Sequence, residues 1–185
     1  MRRCRPFFAW AVRERLIATN PVTGTRVPKG RGVRTAIRPF AEDELESFHM
    51  AASARDLRLA DVLLIAAWTG LRWSELREVQ VRDFVRVPLL VLLVSRAAPE
   101  GVEAKVTKSG KSRRVPVADR ALPLVQACAA EKGPDDLLFT TRTGHQLHAS
   151  AVKRSVAWST VAPGRRIHDL RHTAACIWLS KVSTR

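Results

Sequence analysis

The chain has 185 residues, of which 46% are hydrophobic and 26% charged. That suits one globular domain with a fragment beside it, and excludes a large multidomain enzyme or a disordered polar chain. The 32 Lys+Arg against 17 Asp+Glu leave a net charge of +15, which points to a polyanionic partner. Cys4, Cys128 and Cys176 form no C-x-x-C pair, so neither a disulfide framework nor a zinc ribbon is indicated, and a reducing, cytoplasmic setting is expected. The apolar runs at 62–68 and 89–94 fall well short of the ~20 residues of a membrane span, so no membrane partner is expected. Residues 1–12 imitate a signal peptide, but the apolar stretch is short and runs into Arg13, Glu14 and Arg15.

In chain order, residues 7–18 read as a short helix with Phe7, Trp10, Ala11 and Leu16 on one stripe, ended by Asn20-Pro21. Residues 22–38 mix Gly24, Pro28, Gly30 and Gly32 with five basic residues and show no apolar period, the pattern of a basic linker. After Pro39, the acids Glu42, Asp43 and Glu44 suit the first turn of a helix. The divisions expected are a helical remnant over 1–24, a linker over 25–39 and a main domain over 40–185. Residues 61–68 read as a buried helix that Gly70 ends in a left-handed conformation, and Ser74-Glu75-Leu76 starts the next. Residues 81–87, 89–95 and 113–117 read as three strands of a small antiparallel sheet, and residues 120–130, 152–159 and 168–179 as helices. The fold class is therefore α+β, mainly helical.

The charge is unevenly placed. Residues 1–38 hold ten Lys/Arg and one acid, residues 105–120 six and one, and residues 153–185 seven and one, whereas residues 39–104 hold seven against eleven acids. Basic islands parted by acidic stretches suit several contacts with one phosphate backbone better than uniform charging for solubility.

Three clusters carry chemistry. In Thr69-Gly70-Leu71-Arg72-Trp73-Ser74-Glu75-Leu76, an arginine precedes a helix start, where a phosphate can meet a guanidinium fork and free amides; the alternative is a turn with a surface arginine. In the stretch from Thr107 through Lys108, Gly110, Lys111, Arg113 and Arg114 to Val117, a Gly-containing turn presents a lysine between strands; the alternative is a basic edge strand. In His168-Asp169-Leu170-Arg171-His172-Thr173, His168 and Arg171 share a helix face and can address one phosphate. A metal pair from His168 and His172 lacks a third ligand, and Arg171 would repel the cation. His145 and His148 sit in a polar loop and are expected to face solvent.

Taken together, T-G-L-R-x-S-E-L, K-x-G-K-x-R-x-V-P and H-D-L-R-H-T, in this order, resemble the catalytic domain of the tyrosine recombinase (phage integrase) family. The resemblance implies an integrase-like catalytic domain, with residues 7–28 like the last helix and linker of the family's N-terminal core-binding domain. It implies Arg72 and Arg171 as the two catalytic arginines, Lys108 as the hairpin lysine, His168 as the histidine of the histidine-x-x-arginine motif, and Glu75 as support for the first arginine. Lys111, Arg113 and Arg114 are the expected flanking DNA contacts. The implied reaction is site-specific DNA strand cleavage and rejoining through a phosphotyrosyl link, with no cofactor and no metal. The implied partners are double-stranded DNA and full-length recombinase protomers.

The composition departs from that family at one point: the 185 residues contain no tyrosine. A phenol near pKa ~10 both attacks and later leaves, which an aliphatic alkoxide does far less well. A chain truncated at both ends, without the C-terminal helices and unable to form the phosphotyrosyl link alone, is therefore expected. The rival readings are a non-catalytic DNA-binding module or dominant-negative remnant, and a basic RNA-binding protein, which explains the charge but not the three ordered motifs.

Overall fold

The computed structural model describes residues 4–25, 36–101, 105–106 and 112–183. The chain divides into two units, Met1–Ala36 and Ile37–Arg185. In the first, α1 (Cys4–Arg13) is shorter than the sequence suggests. Arg15 adopts a left-handed φ of 56°, and the Leu16 amide donates to the Ala11 carbonyl at 2.9 Å, so the chain leaves the helix before reaching Asn20-Pro21. Asn20 instead forms a side-chain turn, its Oδ1 accepting from the Val22 amide at 3.0 Å. Most of the expected linker, residues 26–35, lies outside the described residues.

The second unit opens with α2 (Glu42–Thr69), whose three acids lie in the first turn as expected. Glu44 accepts from the Ala41 amide at 3.0 Å. The element is two helices meeting at Asp56, which is extended (φ −155°, ψ 94°) and whose Oδ1 accepts from the Leu59 amide at 3.0 Å. Asp56 is thus the N-cap of the second half, and the His49–Asp61 contact at 2.7 Å joins the halves across the bend. The second helix thus begins before the 61 expected from its apolar run, because the short polar side chain of Asp56 caps it.

After Gly70 comes the single turn α3 (Trp73–Leu76), then a 3₁₀ turn at Val81–Asp83. That turn shortens the strand expected over 81–87: the Asp83 carboxylate accepts from the Gln80 amide at 2.9 Å and winds the chain, leaving β1 as Phe84–Val85. β2 (Val91–Val94), β3 (Arg96–Ala97), β4 (Lys105–Val106) and β5 (Arg113–Pro116) follow. The expected three-stranded antiparallel sheet forms in the order β1-β2-β5, with Leu92 opposite both Phe84 and Val115. A second ladder, β3 with β4, was not legible in the sequence. Val94 pairs with Arg113 in the first sheet, and Arg96 with Val106 in the second.

α4 (Leu122–Ala129), α5 (Ala149–Ser155), α6 (Trp158–Val161) and α7 (Ile167–Ser183) complete the unit. The helix expected over 152–159 is split at Ala157, which is left-handed (φ 53°). Phe48, Leu63, Ile65, Leu92, Phe139 and Leu170 are buried in one core, and the Phe48 ring meets Trp158 edge-on at 5.5 Å. Helices α2 and α7 share the most extensive contact between elements. That packing sets the end of one sequence motif beside another.

Candidate functional site

Gly70 ends α2 with φ 64°, and a β-carbon there would lie 3.1 Å from Ala174 Cβ on α7. The sequence needs glycine here both for the left-handed turn and for the approach of the two helices. The turn releases Arg72 and Glu75 beside α7, and Arg171 Nη1 on α7 donates to the Gly70 carbonyl at 2.5 Å. On the same helix, Thr173 Oγ1 accepts from the Phe40 amide at 2.9 Å, which fixes α7 against the entry to α2.

Glu75 lies at the centre of the cluster, with 3% of its surface exposed. Its Oε1 accepts from Arg72 Nη1 at 2.7 Å, and its Oε2 from the Arg72 amide at 2.8 Å and from Arg113 Nη2 at 2.5 Å. Burial opposes its ionisation, but the bonds from Arg72 and Arg113 outweigh burial and hold the carboxyl below its ordinary range. Glu75 takes the Arg72 amide at the start of α3, so that amide is not open to a phosphate, whereas the Arg72 side chain is 55% exposed.

Arg113 and Arg171 line one cleft of about 340 Å³, walled by Thr69, Gly70, His172 and Trp178. Burial lowers the proton affinity of Arg171, and the like charges of Arg72 and Arg113 lower it further. The three guanidiniums therefore share one electrostatic neighbourhood, although they come from widely separated stretches of sequence. His168 belongs to the same neighbourhood. Burial pushes its pKa down, and His172, Arg171 and Arg166 push it further against the opposing charge of Asp169. Its ring meets His172 edge-on, with centroids 5.1 Å apart.

Arg72, Glu75, His168 and Arg171 are thus brought together, with Arg113 among them. Arg114 is not: strand alternation turns it to the other face of β5, where it borders a small apolar hollow with Val85 and Leu93. Lys108 and Lys111 lie outside the described residues. Among the described residues no group of three or more His, Cys, Asp or Glu is placed to hold a metal ion, and no helix is long and apolar enough to cross a membrane. His145 and His148 are exposed.

Two supports were missed in the sequence. Asp169 is fully buried and accepts from the Arg166 amide and from Arg166 Nη2, both at 2.9 Å. This repeats the bonding of Arg72 with Glu75, an arginine followed three residues later by a buried acid at a helix start, and it orients the first turn of α7. The signal was present in that spacing. The link between Glu75 and Arg113 spans 38 residues, and no local pattern announces it.

The model of the phage integrase family matches residues 38–183. Relatives include the integrase of Mycobacterium phage FRAT1, 30% identical over 180 residues, and the tyrosine recombinase XerC of Mycobacterium sp. strain KMS, 29% identical over 187. The alignments cover 90% and 92% of this chain but 52% and 58% of those proteins, so the chain spans about half the length of the curated relatives it matches. Among solved structures, a lambda integrase dimer bound to a COC′ core site matches 97% of this chain and 51% of its own, with a TM-score of 0.66 and 22% identity. The Tn1549 transposon integrase in complex with transposon right end DNA matches 96% of this chain and 64% of its own, with a TM-score of 0.70 and 20% identity.

Proposed function

Because the chain belongs to the phage integrase family, we propose that it binds double-stranded DNA and supplies the phosphate-binding half of a strand cleavage and rejoining site in site-specific recombination. The observation that carries this reading is the joining of Arg72 and Arg113 through Glu75 beside the cleft that Arg113 and Arg171 line, with Arg171 bonded to the Gly70 carbonyl across 101 residues of sequence and His168 one helical turn before it. Attack on a phosphodiester gathers negative charge on the non-bridging oxygens of a pentacoordinate phosphorus. Guanidiniums already held in place stabilise that state more than the ground state. Arg72 and Arg171 take that role, Glu75 fixes Arg72, and neutral His168 hydrogen-bonds a phosphate oxygen and assists proton transfer.

As the phosphorus–oxygen bond to the 5′ side breaks, the departing oxygen takes a proton, which is assigned to Lys108. The attacking oxygen becomes ester-linked to the 3′-phosphate, and the reverse step restores the backbone with another strand's 5′-hydroxyl. No cofactor enters this scheme, because arginines carry the charge. Lys111 and Arg113 contact phosphate near the site, and Arg114, on the opposite face of β5, contacts a neighbouring one.

The 185 residues contain no tyrosine, so a phosphotyrosyl link needs a nucleophile that they do not hold. That composition favours a second reading in which these residues bind DNA and do not cleave it unless another recombinase protomer supplies the tyrosine. Mixing the chain with an intact relative whose own catalytic arginine is replaced separates the two: a covalent complex on a nicked substrate supports shared catalysis, and its absence supports binding alone. DNA binding itself is tested against salt, where log affinity is expected to fall linearly with a slope of about −0.9 per phosphate neutralised. Arg171→Gln is expected to reduce that slope by about one contact. A flat salt response would remove both readings.

A further inference from the structure

Arg113 is an ion-pair partner that also faces a cleft. It is bonded to Glu75 through Nη2 at 2.5 Å, yet 41% of its side chain remains accessible, and it lines the cleft with Arg171. Among the described residues, the groups that act on one another there are three guanidiniums, those of Arg72, Arg113 and Arg171, and one carboxylate, that of Glu75. The balance is two positive charges. A phosphodiester carries one negative charge, and its pentacoordinate state, formed by an attacking oxyanion, carries two.

Arg113 adds one positive charge to that cluster, and the state to be stabilised carries one more negative charge than the ground state. The fork of a guanidinium permits both duties: one nitrogen rests on Glu75, and among the described residues the remaining donors have no acceptor and can turn to an oxygen. Strand alternation explains why Arg113 and not Arg114 serves, since only the former faces Glu75.

We propose that Arg113 is a third phosphate-contacting guanidinium of this site, anchored by Glu75 and directed with Arg171 at the same phosphate. The proposal rests on the DNA-phosphate reading above and deepens it. Arg113 thereby moves from a flanking backbone contact to the reacting phosphate.

The test is a titration of the isotopically labelled chain with inorganic phosphate, following the Nε–Hε resonances of the arginines by NMR. Arg113 is expected to shift with the same half-saturation as Arg72 and Arg171, while Arg114 stays still. Arg113→Gln is expected to weaken phosphate binding roughly tenfold to a hundredfold, the range for a bond to a charged group. Because that variant also strips Glu75 of a partner, Arg113→Lys is measured beside it. Lysine keeps the charge and one bond to Glu75 but loses the fork, and is expected to weaken binding severalfold with an unchanged melting temperature. If Arg72 and Arg171 respond while Arg113 does not, and Arg113→Lys binds phosphate normally, the proposal is overturned and the broader reading stands. If none of the three arginines responds, the phosphate reading itself falls.

Discussion

Arg171 donates to the Gly70 carbonyl at 2.5 Å, so the residue that ends α2 also positions an arginine of the third sequence motif. Gly70→Ala would place a β-carbon on a left-handed residue and 3.1 Å from Ala174 Cβ. The expected loss is about 1–3 kcal/mol of stability, read by chemical denaturation. DNA affinity should fall with it, since Arg171 loses its anchor. An alanine variant as stable as the parent would show that the turn relaxes freely.

Glu75 holds two guanidiniums from a buried position, and removing its charge leaves both short of a partner. Glu75→Gln is expected to cost about 1–3 kcal/mol at neutral pH, the range for losing hydrogen bonds from charged groups to a buried carboxylate. The folded-state pKa lies below the unfolded value of about 4.5, so this stabilisation is full above that value and fades as pH falls through the lower folded one. The stability gap between wild type and variant should therefore narrow in acid. A gap that stays constant from pH 7 down to acid unfolding would contradict the role given to the carboxylate.

His168 is expected to titrate below its ordinary value of 6.5, held neutral first by burial and then by His172, Arg171 and Arg166. Because the folded value is the lower one, the neutral ring favours the folded state fully above 6.5, and that contribution is lost as pH falls through the folded value. NMR titration of the imidazole reads this directly. Arg171→Gln should raise the value, since a repelling charge is gone. An unchanged value would separate His168 from the arginine it is assigned to work with.

Asp56 caps the second half of α2, and Asp56→Ala is expected to cost about 1 kcal/mol, the usual worth of an N-cap. Calorimetric melting checks it. A loss confined to stability, with DNA affinity unchanged, is the expected pattern, because Asp56 is outside the cluster around Glu75.

The site was legible in the sequence where chemistry and local geometry coincide. Arg72 with Glu75 and His168 with Arg171 sit at fixed short spacings, and Gly70 marks the turn that only glycine makes without strain. What the sequence could not show depends on distant pairing. Arg113 and Arg114 look equivalent along the chain, and only the register of β5 against β2 turns one towards Glu75 and the other away. The split of α2 at Asp56 and the early end of α1 at Arg15 escaped for a different reason: single-residue departures interrupt an otherwise helical pattern without disturbing its apolar period.

The convergence of Arg72 and Arg171 on one oxyanion is tested most directly by crystals of the chain grown with tungstate, a heavy tetrahedral stand-in for phosphate located by anomalous scattering. We predict a single strong tungsten peak within hydrogen-bonding distance of both guanidiniums. Tungsten peaks that sit on separate arginines, or that leave the cleft beside Gly70 empty while occupying other basic surfaces, would contradict it.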